Sequence, residues 1–229
     1  DRARGRVVVQ PHNRDTLPGL LLPLLHLRRQ YPDSLVAVFP SDHWILEEDR
    51  FVDYVRAGFE EVERRPEQIV LLGIEPLEAE PEYGYIIPEE EAGSTRFSPV
   101  RRFVEKPDPT AARALMDAGA LWNTMVLVFH AAAFLARLQR TLPELVADFL
   151  RIEEALGKPD ESSAIEESYR RMTPLNLSRD FLETLASEVP SRLTVLPARG
   201  VSWSDWGSEE RIFRATRPGA AWRLGGHHA

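Results

Sequence analysis

Leu35-Val36-Ala37-Val38-Phe39-Pro40-Ser41-Asp42-His43 is the segment that points most directly to a fold. Five apolar residues run from Leu35 to Phe39, stop at a proline, and are followed two residues later by an acid. A short continuous run of this kind reads as a strand buried on both faces, which points to a parallel sheet covered by helices. In open α/β sheets ligands lie outside the carboxyl ends of the strands. Asp42 therefore stands where a metal or a phosphate-bearing ligand is met, although an acid at this place also serves as a turn residue or a helix cap. His43 reads as a packing or capping residue.

The flanking segments extend the α/β pattern. Arg6 to Gln10 reads as a strand, and Pro11 to Thr16 as a polar loop. Asp15 or Thr16 is a natural N-cap for an apolar helix over Leu17 to Arg29, in which Pro23 predicts a kink or an early end. Phe51, Val52, Val55, Phe59 and Val62 recur at helical spacing across Glu48 to Arg64. Gln68 to Ile74 follows as another buried strand, so strand and helix alternate as in α/β folds with right-handed crossovers.

Beyond this point the alternation loosens. Tyr83 to Ile87 and Val100 to Val104 read as strands, with an acidic turn at Glu89 to Ser94 between them. Asp108 to Gly119 reads as a helix closed by glycine, Leu121 to Phe129 as an apolar segment, and Ala131 to Arg140 as a helix. Pro143 to Met172 is helical apart from a break at Gly157 to Asp160. Ser178 is placed to cap a short helix through Ala186, Arg192 to Pro197 is a strand, and a last helix covers Glu209 to Thr216. Residues 1–218 are expected to form one domain, and 219–229 a disordered tail.

Composition narrows the function. A net charge of −8 leaves no basic excess for a nucleic-acid backbone. The chain has no cysteine, which removes disulfides and thiolate chemistry and suits a cytoplasmic setting. No apolar run approaches the roughly 18–20 residues of a membrane span, and Asp1 to Arg6 lacks the apolar core of a signal peptide. The residues are compatible with a monomer or a homo-oligomer.

Four further places carry candidate chemistry. Asp205 lies in a rigid turn between Trp203, Trp206 and Gly207, where an unpaired carboxylate is costly, so it is held by backbone amides or faces a cation. Glu105-Lys106-Pro107 ends a strand with an acid and one of only two lysines, Lys106 and Lys158. That ammonium either binds phosphate as a point charge or forms a surface ion pair. Asn123 and Thr124 interrupt an apolar segment and mark a sugar-like ligand or an internal hydrogen bond. Tyr83-Gly84-Tyr85 lines a pocket or packs at a sheet edge.

In order along the chain, six motifs together resemble the sugar-1-phosphate nucleotidyltransferases, most closely the mannose-1-phosphate guanylyltransferase branch. They are Gln10-Pro11-His12-Asn13-Arg14-Asp15-Thr16, Phe39 to His43, Tyr83 to Ile86, Phe103 to Pro107, Leu121 to Thr124 and Trp203 to Gly207. The resemblance implies a Rossmann-like α/β fold with a mixed, mostly parallel sheet. It implies transfer of GMP from GTP to mannose 1-phosphate with Mg2+ shared by Asp42 and Asp205. Glu105 would hold sugar hydroxyls and Lys106 the sugar phosphate, with Gly84, Asn123 and Thr124 lining the sugar pocket and Gln10, Asn13 and Thr16 near the base.

Two departures accompany the resemblance. The family's Gly-Gly-x-Gly-x-Arg-Leu loop is absent, so the fold is expected to lack its first strand-loop-helix unit and the chain to be weakly active or inactive. The family's glycine after the Asn-Thr pair is Met125 here. The alternative is a non-catalytic sugar-nucleotide sensor or scaffold.

Overall fold

The computed structural model describes residues 5–89 and 96–216. In chain order the elements are α1 (Thr16–Gln30), β1 (Leu35–Val38), β2 (Trp44–Ile45), α2 (Glu48–Arg64), β3 (Ile69–Ile74), β4 (Tyr85–Pro88) and β5 (Ser98–Val104). They continue as α3 (Pro109–Asp117), β6 (Leu121–His130), α4 (Ala131–Thr141), α5 (Pro143–Ala155) and α6 (Glu161–Arg171). A π-helix over Leu177–Leu182 runs into α7 (Glu183–Ala186), and β7 (Leu193–Pro197), β8 (Trp203–Ser204) and α8 (Glu209–Thr216) complete the chain. The expected tail and most of the acidic turn after Glu89 lie outside the described residues.

The chain divides into two compact units, one of residues 1–34 and 130–185, the other of 35–129 and 186–229. The first is helical. Asp15 caps α1 by accepting from the Thr16 N–H, and the helix runs through Pro23 without stopping. Its buried face of Leu17, Leu21, Leu22, Leu24 and Leu25 offsets the hydrogen bond that the proline removes. Tyr169 of α6 is buried, and its hydroxyl donates to the Pro18 carbonyl at 2.7 Å. Edge-to-face pairs Phe134–Phe181 and Phe149–Tyr169 complete this core. Asn176 caps the π-helix by accepting from the Arg179 N–H, and Ser178 lies buried inside that helix, so the start expected at Ser178 falls earlier.

Arg6 to Gln10 forms no strand, and Val7 and Val9 are exposed. An isolated extended segment has no ladder to hold it, because strands are stabilised by their neighbours.

The second unit is built on a six-stranded sheet of order β1-β6-β3-β7-β5-β4, in which β4 also pairs with β6. All six residues of β3 are buried, as befits a strand flanked on both sides by β6 and β7. Phe51, Val55, Val62, Val70, Leu72, Val126, Val128 and Trp203 belong to one apolar cluster on the α2 side.

The α/β class and the mixed sheet agree with expectation; the balance of directions does not. The β3–β7 ladder is parallel, whereas β3–β6, β4–β5, β4–β6 and β5–β7 are antiparallel. β4 and β5 follow one another in the chain with no helix between them among the described residues, and such neighbours pair antiparallel.

The segment from Leu35 is a strand, but each residue of β1 is only partly buried and Phe39 is 52% exposed. β1 ends the strand order with β6 as its neighbour and packs against α2. An apolar run marks a strand; its depth depends on neighbours that the run does not name.

Candidate active site

β2 and β8 form a two-stranded antiparallel ribbon with Trp44 opposite Ser204 and Ile45 opposite Trp203. His43 and Asp205 directly follow the Trp44–Ser204 pair and Asp42 is one residue further, so acids distant in sequence lie at the same end of the ribbon. Glu47 locks the other end by accepting from the Ser202 N–H at 2.6 Å. His43 stacks edge-on against Trp203, with ring centroids 5.1 Å apart. Burial lowers the His43 pKa, while the Asp42 and Asp205 carboxylates both pull it upward, so both fields reach one imidazole. Asp42 is exposed and makes no hydrogen bond or ion pair among the described residues.

Asp205 is far more constrained. Its Oδ1 accepts from the Tyr83 hydroxyl at 2.9 Å and the Gly207 N–H at 3.2 Å, and its Oδ2 accepts from Arg211 Nη1 at 3.0 Å. Both sequence alternatives are thus realised within the protein itself: a backbone amide and a cation. Burial, then the neighbouring Asp205 charge, holds the Tyr83 pKa above its usual value, so this phenol remains a donor. Arg211 carried no signal in the sequence, since one arginine on a charged helix reads as a solvated face.

The Tyr83 hydrogen bond joins Asp205 to the expected sugar-pocket residues. A Cβ built on Gly84 would lie 2.7 Å from Glu105 Oε2, 3.2 Å from Phe103 Cζ and 3.4 Å from Asn123 Cβ. Gly84, Glu105 and Asn123 therefore converge, and the Asn123 N–H donates to the Gly84 carbonyl at 2.8 Å. The Asn123 Oδ1 accepts from the Met125 N–H, and Met125 has φ 57°, a conformation natural to the glycine that the resemblance places there. Lys106 follows at the strand end, exposed, with no carboxylate partner among the described residues. The ion-pair alternative for Lys106 has no counterpart there.

Thr124 is fully buried, donates to the Leu72 carbonyl at 2.7 Å and accepts from the Val126 N–H at 3.2 Å. Its hydroxyl thus makes the internal hydrogen bond that the sequence offered as one alternative, beside the register shift between Leu71 and Gly73.

Gln10, Asn13 and Thr16 lie in the helical unit. Asn13 Oδ1 accepts from the Asp15 N–H, and Thr16 Oγ1 accepts from the Leu177 N–H. Both thus support the start of α1. The Gln10 Oε1 is buried without a hydrogen-bond partner among the described residues.

Among the described residues no group of three His, Cys, Asp or Glu side chains is arranged to hold a metal. Two carboxylates at one ribbon end suit a different ion. Magnesium takes one or two protein carboxylates and completes its shell with water and substrate phosphate. By residue type Asp42 and Asp205 match that donor set, with Asp205 held in this structure by Tyr83, Gly207 and Arg211.

The Gly84 contact supplies a direct test. Gly84→Ala is expected to push the Glu105 carboxylate aside and, where this cluster is the sugar pocket that the resemblance implies, to weaken sugar-phosphate binding by about tenfold, the scale of one displaced hydrogen-bonded group. Glu105 Oε2 is the end of a flexible side chain, and the buried Phe103 ring must give by a few tenths of an ångström, so the melting temperature should fall only slightly. Calorimetric titration and thermal melts check both halves; unchanged binding would remove Glu105 from the pocket.

Comparison with known proteins places this geometry. The Nucleotidyl transferase family profile matches residues 4–219. The chain is 27% identical over 225 residues to mannose-1-phosphate guanylyltransferase 2 of Escherichia coli O157:H7, covering 93% of this chain and 45% of that protein. It is 30% identical over 174 residues to the xanthan biosynthesis protein XanB of Xanthomonas campestris pv. campestris strain B100, covering 70% and 36%. It thus spans about half the length, or less, of these relatives. Among solved structures, mannose-1-phosphate geranyltransferase from Thermus thermophilus superposes with a TM-score of 0.77 at 25% identity, over 93% of this chain and 58% of that one. UDP-glucose pyrophosphorylase bound to UDP-glucose shares the fold at a TM-score of 0.51 and 16% identity, over 89% of this chain and 61% of that one. No helix among the described residues is long and apolar enough to cross a membrane. With the acid-bearing ribbon and the Gly84 cluster on this fold, the chain belongs to the nucleotidyl transferase family.

Proposed function

We propose that this chain contributes the transferase site of a mannose-1-phosphate guanylyltransferase, which makes GDP-mannose and pyrophosphate from GTP and mannose 1-phosphate. The observation that carries the reading is the hydrogen bond from Tyr83 to Asp205, which ties a ribbon-end acid to the Gly84, Glu105 and Asn123 cluster. Relatives named for this activity support the choice of sugar and nucleotide.

In this reading a phosphate oxygen of mannose 1-phosphate attacks the α-phosphorus of GTP. The bond from that phosphorus to the bridging oxygen breaks, and pyrophosphate leaves with the electron pair. Glu105 accepts hydrogen bonds from sugar hydroxyls, Asn123 and Gly84 bound the ring, and exposed Lys106 meets the sugar phosphate as a point charge. Asp42 and Asp205 would hold Mg2+, which when bound neutralises phosphate charge. Gln10, Asn13 and Thr16 are assigned to the nucleotide base through the resemblance alone. The work of these residues is positioning and charge compensation, with no covalent intermediate. A cysteine-free chain of this kind suits the cytoplasm.

The 229 residues hold no Gly-Gly-x-Gly loop, so this chain alone is expected to bind nucleotide sugar better than it turns over. Calorimetric titration with GDP-mannose, with and without Mg2+, tests the site. Magnesium-dependent binding lost in both Asp42→Asn and Asp205→Asn, in variants that keep the native circular dichroism, supports it. Binding that ignores both substitutions removes the reading.

A further inference from the structure

Asp205 is already engaged in this structure, and the cation that lies against it is Arg211 of α8. Arg211 Nη1 lies 3.0 Å from Asp205 Oδ2 and 3.3 Å from Oδ1. Its Nη2 lies 2.7 Å from Glu82 Oε2 and 3.2 Å from Glu80 Oε2. The guanidinium carbon sits 4.7 Å from the centroid of the Tyr83 ring, a cation–π contact. The arginine side chain is only 14% exposed and Asp205 24%. One cation thus serves three carboxylates and an aromatic face in a partly desolvated place, where charge pairs gain strength.

Tyr83 and Gly207 donate to Oδ1, and Arg211 Nη1 lies against both oxygens and is the donor on Oδ2. A divalent cation bound to Oδ2 would lie beside the guanidinium that now stands 3.0 Å from that oxygen. Two cations against one carboxylate oxygen repel each other, and more strongly where water is partly excluded. Displacement does not strand the arginine, because Glu80 and Glu82 already hold its other end.

We propose that Arg211 is a positioning residue that holds Asp205 in a metal-free arrangement, so that divalent cation binding at Asp205 requires the guanidinium to be displaced. Arg211 thereby sets the metal affinity of the site. This rests on the reading of Asp205 as a metal ligand.

The prediction has a sign that a purely structural role does not share. Removing a structural support loosens Asp205 and weakens metal binding, whereas removing a competitor strengthens it. Mn2+ titration followed by electron paramagnetic resonance of the free ion reads this directly in the whole chain. Arg211→Met keeps an apolar stem over Tyr83 while deleting the charge, and Arg211→Lys keeps the charge while losing the planar fork. Arg211→Met is expected to bind Mn2+ about tenfold or more tightly than the parent, with Arg211→Lys nearer the parent. Adding Asp205→Asn to Arg211→Met should abolish the gain.

Thermal melts of each variant confirm that folded protein is compared. Asp205-dependent Mn2+ binding that Arg211→Met leaves unchanged or weakens overturns the role of Arg211 and spares the metal reading. Mn2+ binding that Asp205→Asn does not alter in the parent chain overturns both.

Discussion

Trp203→Ala is expected to destabilise the protein by about 3–5 kcal/mol, the range for deleting a large buried aromatic side chain. Trp203 is 3% exposed and belongs to the apolar cluster beneath the sheet. Its ring meets His43 at 5.1 Å and Tyr83 at 5.3 Å, both edge-on, and each such contact adds roughly 0.5–1.5 kcal/mol to the burial itself. The indole also pairs across the ribbon with Ile45, so its loss loosens the two strands that carry Asp42 and Asp205. Urea denaturation followed by fluorescence of the remaining tryptophans measures the change. A loss below about 1 kcal/mol would mean the ribbon is held mainly by Glu47 and its bonds to Ser202. Trp203→Phe should recover much of the loss, because it restores an apolar ring between His43 and Tyr83.

The second large effect is expected at Gly73. In a strand interior glycine ordinarily costs about 0.5–1 kcal/mol relative to alanine, so replacing it should help. Here the sign reverses. A Cβ at Gly73 would stand 2.9 Å from both Leu121 Cβ and Leu121 Cδ1, and 3.0 Å from Val195 Cγ2. These atoms belong to the strands on either side of β3, in a sheet whose register with β6 already shifts next to this residue. Gly73→Ala is expected to cost about 1–3 kcal/mol, and Gly73→Val about 3 kcal/mol or more, at the upper end of overpacking. Leu121→Ala combined with Gly73→Val should restore part of the stability, and the double-mutant cycle measures that coupling. A neutral Gly73→Ala would show that Leu121 moves aside freely.

Several elements are legible without coordinates because their causes are local. The apolar spacing from Phe51 to Val62 gives α2 its bounds of Glu48–Arg64, and α8 covers Glu209–Thr216 as its pattern implies. Asp15 and Asp108 cap the helices they precede, and Gly119 takes the positive φ of a helix end. The convergence of Gly84, Glu105 and Asn123 is legible only through resemblance, since no spacing rule connects a residue before β4, one after β5 and one within β6.

The run of helices and strands, the placing of acids just beyond strand ends, and the family all follow from the order of residues, because they depend on neighbours a few positions apart or on motifs kept in sequence. The exposure of β1, the predominance of antiparallel ladders, and the hydrogen bond from the Thr124 hydroxyl to the Leu72 carbonyl of a neighbouring strand arise only once the chain is folded. So does the state of Asp205: Tyr83, 122 positions away, reaches Oδ1, and Arg211 reaches Oδ2. A carboxylate's partners are set by which chain segments the fold brings within about 3 Å, the reach of a hydrogen bond. That distance is fixed only when the ribbon, the sheet and α8 are all in place.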